Sequence, residues 1–515
     1  MYLITNVKVN IKENFSDCDK LLSTILGLKA YNVLLKKRSI DSRKKNEPIY
    51  ICSFTFDCDN NAVLNNTNCT VYNEEVYEFK KAKIIPKTRP IIVGFGPSGM
   101  FAAYTLAKAG LKPLILEKGA DVDTRTKDVE AFLNGGQLNY NSNVQFGEGG
   151  AGTFSDGKLN TGIKDFRINT VLKLFHKFSA PKEILYSSAP HVGTDILKNV
   201  VKNMREEIIA LGGEVLFQHH VKDIEIKDNR INRLICSNGK EFNCDKVIFA
   251  LGNSARDTFE LFFNKGIVLE QKPFSVGVRI EHKQALIDNY KYKGYEGLPP
   301  ADYKLAVHLN DGRGVYTFCM CPGGYVINSS SEENSTVTNG MSYSKRDGKN
   351  ANSALLVSVT PTDLKSEHPL AGIEFQRSIE RKAYFLAGGH FPITQTVGDF
   401  LKGEKTKKFS GILPTAGPKT VNEDIAKVLP AFIIKALKSA LPLFDKKLPG
   451  FCDKAAVLTA PETRSSGPIR IVRDEGFEAS VKGIYPCGEG AGYAGGITSS
   501  AVDGMKAAEK LIKSL

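Results

Sequence analysis

Hydrophobic and polar positions over the first 86 residues follow the pattern of a small α+β unit. Alternating and helical spacings predict, in order, a strand over 2–11, a helix near 17–28, and strands near 49–57 and 70–79. The basic stretch KKAKIIPKTRP follows at 80–90, and its prolines and charges are typical of a linker. We therefore predict a separate N-terminal domain over 1–86.

From residue 87 the pattern changes to buried strands that alternate with helices. Residues 91–93 form a short apolar strand, a glycine turn follows, an alanine-rich helix ends near Gly110, and a second apolar strand ends at Glu117. Further on, the pattern predicts a helix over 194–212 and a three-stranded meander over 214–226, 230–237 and 241–250. This order is typical of a Rossmann-like α/β domain, which we assign to 87–264.

The pattern changes again between about 265 and 450, where strand-like and helical runs mix. Strands are predicted over 274–281, 303–309, 314–320 and 354–360, helices over 371–387 and 424–439, and polar loops over 331–353. The tail, 481–515, returns to a strand, a glycine turn and a helix. We therefore predict an α/β fold: a Rossmann-like domain with a mixed α+β substrate domain inserted at 265–450, a second Rossmann-like part at 451–515, and the small N-terminal α+β domain.

Composition and charge are those of a soluble chain with several domains. Of the 515 residues, 42% are hydrophobic and 24% are charged, and no apolar run approaches the length of a membrane-spanning helix. The start shows no signal peptide, and the ten cysteines are scattered, so we expect free thiols in a reducing cytoplasm. The net charge of +13 favours anionic substrates or polyanions without distinguishing between them.

The first glycine turn carries the clearest chemistry in the chain. Gly94, Gly96 and Gly99 form G-x-G-x-x-G between the predicted strand and helix. The first glycine allows the tight turn, the second lets a pyrophosphate approach the backbone, and the third lets helix and strand pack closely. The helix N-terminus then presents unpaired N–H groups to the phosphates. Glu117 ends the second strand, where a carboxylate can accept both ribose hydroxyls, and an acid there argues against NADP.

Two later segments are also rich in glycine. VQFGEGGAGTFSDGKLNT, at 144–161, is too long for a simple turn, and we interpret it as backbone that passes over a pyrophosphate and a flavin ring, with a flexible surface loop as the alternative. GIYPCGEGAGYAGGITSSAVDGMKAAEKL, at 483–511, predicts a strand, an acidic glycine turn and a helix. Arg125 and Lys158 are candidates for neutralising the pyrophosphate, and a solvated surface role is the alternative for both.

This ordered set of segments resembles the flavoprotein superfamily with a glutathione-reductase-like FAD domain, and the likeness covers 89–260 and 452–515. The resemblance implies FAD as the cofactor, with pyrophosphate at the early glycines, ribose at Glu117 and adenine at the backbone of Val221. The ribityl chain would meet the Gly488–Glu489 turn, where the superfamily more often has Asp. The expected cofactor contacts are Gly94, Gly96, Pro97, Ser98, Gly99, Glu117, Lys118, Arg125, Gly150, Gly152, Lys158, Val221, Gly252, Gly488, Glu489, Gly496 and Ile497.

A narrower resemblance rests on the strings FGEGGAGTFSDGKLNT, FCMCPGG, TNGMS, ANSALLVSV and ETRSSGPIRI. They are similar to a family of bacterial FAD-dependent dehydrogenases that carry an extra N-terminal domain. In the superfamily the helix N-terminus that matches Gly496 and Ile497 faces flavin N1 and O2, so backbone N–H groups there would stabilise a reduced flavin. The resemblance implies the cofactor more closely than the reaction.

The residues that would face a substrate are predicted from position and type. Glu462, Arg464 and Ser465 precede the C-terminal flavin segment, and His390 lies in GGHFPITQ. An arginine there can bind a carboxylate or phosphate with two hydrogen bonds, whereas the alternative for Arg464 is an interdomain salt bridge and for His390 a structural role. The pair Cys319 and Cys321 is interpreted as buried small hydrophobic residues, with a reactive or metal-binding pair as the alternative; we predict no metal site.

The N-terminal unit is basic: residues 1–90 carry 15 Lys or Arg against 10 Asp or Glu, and LKKRSIDSRKK at 35–45 concentrates the charge. We interpret this stretch as a solvated turn or subunit contact, and nucleic-acid binding is the alternative. The leading functional hypothesis is a soluble FAD-dependent oxidoreductase acting on a small, anionic molecule, with electrons from that molecule or from a transiently docked donor such as NAD(P)H. The alternatives are a flavin-dependent tRNA modification factor and a non-catalytic FAD-binding protein.

Overall fold

The computed structural model describes residues 1–43 and 47–515, and the chain begins with a small α+β domain. Its antiparallel sheet has the strand order β2-β3-β1-β4 and is covered on one side by a helix. The elements are β1 (Tyr2–Asn10), α1 (Cys18–Leu26), β2 (Tyr31–Asp41), β3 (Ile49–Asp57) and β4 (Cys69–Val71). The interpretation of 35–45 as a turn is therefore wrong up to Asp41, because this stretch is a strand paired with β3; Lys44 and Lys45 lie outside the described residues.

The predicted strand at 70–79 ends at Val71, and the following residues run to β5 without a helix or strand. Tyr77, Phe79 and Ala82 of this stretch pack on the next domain instead of pairing with a neighbouring strand. The ring of Phe79 lies 5.3 Å from that of Tyr104, and the Tyr77 hydroxyl donates to Glu509 at 2.9 Å. The linker is thus an extended strap held by side chains.

The Rossmann-like domain begins with a parallel sheet and a separate meander. The elements are β5 (Ile91–Val93), α2 (Pro97–Lys108), β6 (Leu114–Leu116), α3 (Val122–Leu133), α4 (Arg167–Lys177), α5 (Thr194–Ala210), β7 (Glu214–Leu216), β8 (Val221–Lys227), β9 (Arg230–Cys236), β10 (Glu241–Asn243), β11 (Val247–Phe249) and α6 (Arg256–Asn264). The meander contains only β8, β9 and β10. The predicted strands at 214–226 and 241–250 each divide, because their other halves, β7 and β11, join the parallel sheet.

The second domain is built on a seven-stranded sheet of order β14-β15-β18-β13-β21-β19-β20. Its elements, with the hairpin β16–β17 and the short β12, are β12 (Leu269–Gln271), β13 (Phe274–Lys283), α7 (Gln284–Tyr292), β14 (Ala306–His308), β15 (Gly314–Cys321), β16 (Tyr325–Asn328), β17 (Thr338–Met341), β18 (Asn350–Val359), α8 (Pro361–Leu364), α9 (Ala371–Ala387), β19 (Ile393–Thr396), α10 (Val397–Lys402), β20 (Val421–Asn422), α11 (Ala431–Lys447) and β21 (Val457–Glu462). The helix predicted at 424–439 begins only after Pro430 and continues to Lys447.

The two faces of this sheet differ in chemistry. Val276, Val278 and Ile280 alternate along β13 and pack into the hydrophobic core of the domain. Arg279 and Glu281 lie on the opposite face and are fully buried. A buried charged face of this kind must be satisfied by neighbouring polar groups, so it marks the side of the sheet that carries chemistry.

The chain then returns to the first domain through β22 (Ile469–Ile471), β23 (Ile484–Pro486) and α12 (Ile497–Lys513). β23 pairs in parallel with β11, which completes a five-stranded sheet of order β23-β11-β5-β6-β7. α12 packs directly on α2, since a Cβ built on Gly504 would lie 2.0 Å from the Ser98 oxygen. The two ends of the Rossmann-like domain are thus a single body. Among the described residues, no helix has the length and apolar character needed to cross a bilayer.

Candidate functional site

The turn between β5 and α2 uses its three glycines for different reasons. Gly94 has a φ of 97°, and a Cβ built on it would lie 2.7 Å from the Ala250 oxygen. A Cβ on Gly99 would lie 2.0 Å from the Gly94 oxygen. Gly96 has a φ of −78°, and its Cβ would meet nothing nearer than the Gly150 Cα at 3.6 Å. Packing therefore requires Gly94 and Gly99, whereas Gly96 is free of such a constraint within the chain.

Two distant glycine segments meet this turn. A Cβ on Gly488 would lie 2.8 Å from the Ser98 Cβ, so the C-terminal turn rests against the first turn of α2. A Cβ on Gly152 would lie 3.1 Å from the Ile497 Cγ1, so the 144–161 segment reaches the start of α12. The three glycine segments predicted to hold one dinucleotide therefore lie together, although they are far apart in sequence.

Open space adjoins this meeting point. Cβ atoms built on Gly252, Gly495 and Gly496 would meet no atom within 4 Å. No side chain caps the first turn of α12, which begins at Ile497 beside this space. An uncapped helix N-terminus next to an open region suits an electronegative atom of a ligand.

Glu117 is buried and already holds the backbone around it. Its Oε1 accepts the Gly119 and Gly147 N–H groups at 2.8 and 2.9 Å, and its Oε2 accepts the Phe95 N–H at 2.8 Å. A carboxylate offers about four acceptor directions, so one remains at Oε2. The expectation that Glu117 accepts both ribose hydroxyls is thus reduced to one hydroxyl unless the loop moves.

His219 is a residue that the sequence pattern missed. It lies 8% exposed between Glu117, whose carbonyl accepts the His219 N–H, and Val221, which begins β8. Its Nδ1 lies 2.7 Å from the Phe217 oxygen and therefore carries the proton, which leaves Nε2 as a buried acceptor without a partner. An unpaired buried acceptor beside Glu117 fits a ligand donor such as the amino group of adenine. Its signal in the sequence is its place two residues before Val221.

Glu489 lies in the second glycine turn, where the ribityl chain is expected. Burial raises its pKa to about 7, although the backbone of Gly496, Lys272 and Asn253 favour the charged form. The Asn253 amide donates to its Oε1 at 2.9 Å. The resemblance implies that the Gly496 N–H group faces flavin N1 and O2. The Glu489 carboxylate thus competes with the flavin for this hydrogen-bond donor.

Arg125 does not have the solvated surface role that is one of the two roles expected of it. The side chain is fully buried, which excludes that role. Its donors are bound to the carbonyl oxygens of Asn143, Val144, Gly147, Glu148 and Gly150, at 2.6–3.2 Å. Most of its N–H groups are thus directed at the backbone, and Arg125 holds the loop 143–150 in place.

The two lysines expected near the cofactor differ in position. Lys118 pairs with Asp257 at 3.1 Å and covers the ring of Phe146, at the edge of the glycine segment 144–161. Lys158 pairs with Asp156 at 3.6 Å and lies close enough to Cys319 to lower the pKa of its thiol against the effect of burial. Lys158 thus faces the second domain instead of the first glycine turn, so its expected contact with the pyrophosphate is not supported by its position.

A cluster of charged and sulfur-containing groups surrounds Cys319. Arg279 donates to the Cys319 oxygen at 2.8 Å, and its Nη1 lies 3.2 Å from Glu462. The strand register shifts between Phe318 and Cys321, and Cys319 has a φ of 41°. Cys319 is exposed, so its interpretation as a buried hydrophobic residue is wrong. Desolvation raises the pKa of its thiol to about 12. A bulge of this kind re-aims a side chain and is common beside functional sites.

Arg464, which the sequence predicts to bind substrate, instead forms an interdomain salt bridge. Its guanidinium bonds Glu380 at 2.7 Å, Ser331 at 2.6 Å and Ser254 at 3.2 Å. Arg256 binds the same Glu380 at 2.8 Å, and the side chains of both arginines are buried. The Ser465 hydroxyl donates to the Ser275 oxygen. No donor of Arg464 is left for a carboxylate ligand, so its alternative role as a salt bridge is the one found.

Glu462 and His390 occupy different places. Glu462 belongs to the Cys319 cluster through Arg279, and burial raises its pKa although Arg279 opposes this. His390 lies outside that cluster, in the wall of a separate cavity, and its Nδ1 is 2.7 Å from the Ser335 oxygen. The three predicted catalytic residues do not form one site. Within the described chain, no group of three or more His, Cys, Asp or Glu side chains could hold a metal.

Comparisons with known proteins agree with the geometry of the glycine segments. Residues 92–151 match the model of the NAD(P)-binding Rossmann-like domain, and residues 273–465 match the model of the FAD-dependent protein, C-terminal domain-like family. A protein of Clostridium beijerinckii (strain ATCC 51743 / NCIMB 8052), described as "Uncharacterized protein", is 44% identical over 524 residues, which is 99% of this chain and 98% of that protein. The chain belongs to this family of FAD-dependent proteins. Its cofactor is FAD, and the open space at Gly252, Gly495 and Gly496 and the unpaired Nε2 of His219 fit that group.

Solved structures of several enzymes match most of the chain at low identity. L-proline dehydrogenase from P. horikoshii is 13% identical, with a TM-score of 0.35, over 84% of this chain and 95% of that one. Halogenase PltM in complex with phloroglucinol and FAD is 13% identical, with a TM-score of 0.39, over 83% of this chain and 69% of that one. E. coli quinol fumarate reductase FrdA is 13% identical, with a TM-score of 0.37, over 83% of this chain and 70% of that one.

Proposed function

We propose that this FAD-dependent family member is an oxidoreductase that acts on a small anionic molecule by hydride transfer. The substrate would bind between Lys158 and the Cys319 bulge of β15, a region that we call the Lys158 cleft. We also propose that FAD adopts the arrangement of the glutathione-reductase-like superfamily, with its ring beside Gly496 and Ile497.

One observation carries the proposal: the segment that bears Lys158 is bound to the start of α12. The Thr498 hydroxyl, in the first turn of α12, donates to the Leu159 oxygen at 2.7 Å. The neighbouring side chain, Lys158, pairs with Asp156 and lies near Cys319. One residue pair thus connects the expected flavin ring position to the cleft of the second domain.

The charges in this cleft favour an anion. Lys158, Arg279 and Arg346 contribute three positive charges, against Asp156 and Glu462. Burial alone would raise the pKa of Asp156, but Lys158 and Arg346 lower it below its usual range, so this carboxylate stays charged. The remaining excess of one cation suits a substrate with a single carboxylate or phosphate.

Bound FAD supplies the hydride acceptor, and the chain supplies binding and orientation. Lys158 is a quarter exposed, so it would hold the substrate anion as a point charge. Arg279 is fixed by Glu462 and Asn352 and shapes the wall of the cleft. The buried hairpin β16–β17 covers this wall and keeps water from it.

The test compares Lys158→Met with Lys164→Met, an exposed lysine of the same segment that forms no ion pair in the described structure. Each FAD-loaded variant is mixed anaerobically with a panel of 2-hydroxy, 2-amino and phosphorylated acids, and bleaching of the visible flavin band is followed. We expect at least one acid to bleach the wild type, and Lys158→Met to keep its FAD while the rate falls about tenfold or more. Equal bleaching rates in the two variants would remove Lys158 from the proposal, and a flavin that no acid or NAD(P)H reduces would favour a non-catalytic FAD protein.

The basic N-terminal domain gives less support to the alternative of tRNA modification. Arg38 is part of its basic stretch, yet it stacks on Phe15, Tyr50 and Tyr186 with ring distances of 5.0–5.3 Å. Its backbone also bonds Tyr186 and Ser188 of the Rossmann-like domain. Arg38 therefore contributes to the contact between the N-terminal domain and the Rossmann-like domain. This contact favours a structural role for the N-terminal domain over binding of tRNA.

A further inference from the structure

A cavity of about 470 Å³ lies between the Rossmann-like domain and the second domain, apart from the Lys158 cleft. Its walls come from the end of α3 with the loop that follows, from the end of α9, and from residues 416–419. This volume is within the range of small-molecule sites. Nothing in the proposed reaction uses it.

The hairpin β16–β17 lines this cavity and also contacts Arg279 of the Lys158 cleft. Asn328, in β16, lines the cavity and donates to the His390 oxygen. Gly340, in β17, lies against Arg279, because a Cβ built on it would be 2.1 Å from the Arg279 Nη2. The residues that line the cavity include none of Lys158, Arg279 and Cys319, so the cavity and the cleft are separate sites.

Five of the residues that line the cavity carry an aromatic ring. The His390 ring lies 4.8 Å from that of Tyr384, 5.9 Å from that of Phe132 and 6.5 Å from that of Tyr140, with edge-on or tilted geometry. Phe391 adds a further ring beside them. Side chains arranged in this way offer faces and edges to a planar ring of a ligand.

Two polar atoms of residues that line the cavity, the Nε2 of His390 and the Nζ of Lys419, form no hydrogen bond or ion pair within the described chain. The Nδ1 of His390 lies 2.7 Å from the Ser335 oxygen, and burial lowers the pKa of the imidazole, so the neutral ring keeps its proton on Nδ1. Its Nε2 is then a free acceptor. The Lys419 ammonium lies 4.5 Å from the centre of the Phe391 ring and forms no ion pair in the described structure. One acceptor and one cation remain available at a wall of aromatic rings.

We propose that this cavity binds a hydroxylated aromatic acid, whose ring packs among Phe132, Tyr384 and Phe391. Its hydroxyl donates to the Nε2 of His390, and its carboxylate faces Lys419. We propose binding alone at this cavity, and this binding does not depend on the hydride transfer proposed at the Lys158 cleft.

The experiment measures binding of 4-hydroxybenzoate to the full FAD-loaded chain by titration calorimetry. We expect saturable binding of one probe molecule per chain, weakened about tenfold or more in His390→Phe and in Lys419→Met. Lys407→Met, an exposed lysine outside the cavity, is the matched control and should bind as the wild type does.

A second probe distinguishes the two contacts. Benzoate lacks the hydroxyl, so we expect its affinity to depend on Lys419 and to be unchanged in His390→Phe. No saturable heat with the wild type, or equal weakening by Lys407→Met and Lys419→Met, would overturn the proposal. If His390→Phe does not fold, the test depends on Lys419→Met, because Lys419 is exposed and its substitution should leave the fold intact. Loss of carboxylate-dependent binding in Lys419→Met then decides the outcome.

Discussion

At Gly96 and Gly99, two glycines three positions apart answer to different neighbours. The carbonyl of Gly94 fills the place where a Gly99 side chain would lie, whereas the nearest atom to a Gly96 side chain is 3.6 Å away. The backbone of Gly96 also has an ordinary φ of −78°. Of these two positions, therefore, only Gly99 must be glycine for packing within the chain. A requirement for glycine at position 96 would come from the pyrophosphate.

We predict that Gly96→Ala folds with a melting temperature close to that of the wild type and binds FAD about tenfold or more weakly. Gly99→Ala should instead lose stability, because its methyl group overlaps the Gly94 oxygen. Thermal melting and flavin content measure the two effects. Normal FAD affinity in Gly96→Ala would show that the pyrophosphate does not pass this glycine.

Glu148 is fully buried, and only one of its two carboxylate oxygens has a hydrogen-bond partner. Its Oε2 accepts the Val122 N–H and pairs with Arg205 at 3.1 Å, while its Oε1 has no partner. Burial raises its pKa from 4.5 to about 7, and Arg205 only partly opposes this. Because the folded pKa is above the unfolded one, the stabilisation is present below pH 4.5 and is lost as the pH rises through 7.

Replacing this acid by an amide should flatten that pH dependence. We predict that the wild type loses up to about 3 kcal/mol from this group between roughly pH 5 and pH 8.5. In Glu148→Gln the loss should be smaller, since the amide does not ionise and its oxygen can keep the Val122 contact. Urea unfolding at both pH values measures the difference, and equal slopes in the two proteins would contradict a raised pKa at Glu148.

Among the elements, the loop 143–150 depends on α3 through one side chain. Arg125 projects from α3 and donates to five carbonyl oxygens of this loop. The loop in turn gives Glu117 one of its N–H partners, Gly147, and touches Gly96 through Gly150. The conformation of the glycine loop is therefore set by a helix outside the strand–turn–helix motif.

We predict that Arg125→Lys destabilises the fold by about 3 kcal/mol or more, because a lysine has three donors for five acceptors. FAD should dissociate more readily, since the loop would no longer be held beside Gly96. Chemical unfolding and FAD release measure both effects, with Lys127→Ala on the exposed side of the same helix as control. A variant as stable as the control would show that water replaces the guanidinium.

The elements also show what the sequence could and could not predict. The strand–turn–helix units at 91–117 and 483–511 were predicted because strong apolar runs and glycines act locally. The division of 214–226 between two sheets was not, because both halves are apolar and only tertiary pairing separates them. Arg464 and Arg125 were assigned to ligands for the same reason: an arginine's partners, here Glu380 and loop carbonyls, are distant in sequence.

For the whole molecule, the charged network around Glu380 joins the domains. Arg256 of α6, Glu380 of α9 and Arg464 after β21 meet with their side chains buried, and Ser331 and Glu332 complete the set. Buried charges of this kind depend on each other, since removing one leaves the rest unpaired. The domains therefore share a polar core.

We predict that Arg464→Ala costs about 3–5 kcal/mol of stability and loses FAD together with the fold, in place of a selective loss of turnover. Arg470→Ala, an exposed arginine of β22, is the control. Calorimetric unfolding and flavin content at several temperatures measure the two together. A stable Arg464→Ala protein with bound FAD and no activity would return this residue to substrate binding.

The pairing of β23 with β11, and of α12 with α2, sets the timing of cofactor uptake during synthesis. A ribosome makes residues 94–99 long before the segment 484–513. Until that later segment has emerged, β11 has an unpaired edge, and the nascent chain lacks one side of the place where the glycine segments meet. We therefore expect a chain truncated before β23 to be colourless and prone to aggregation.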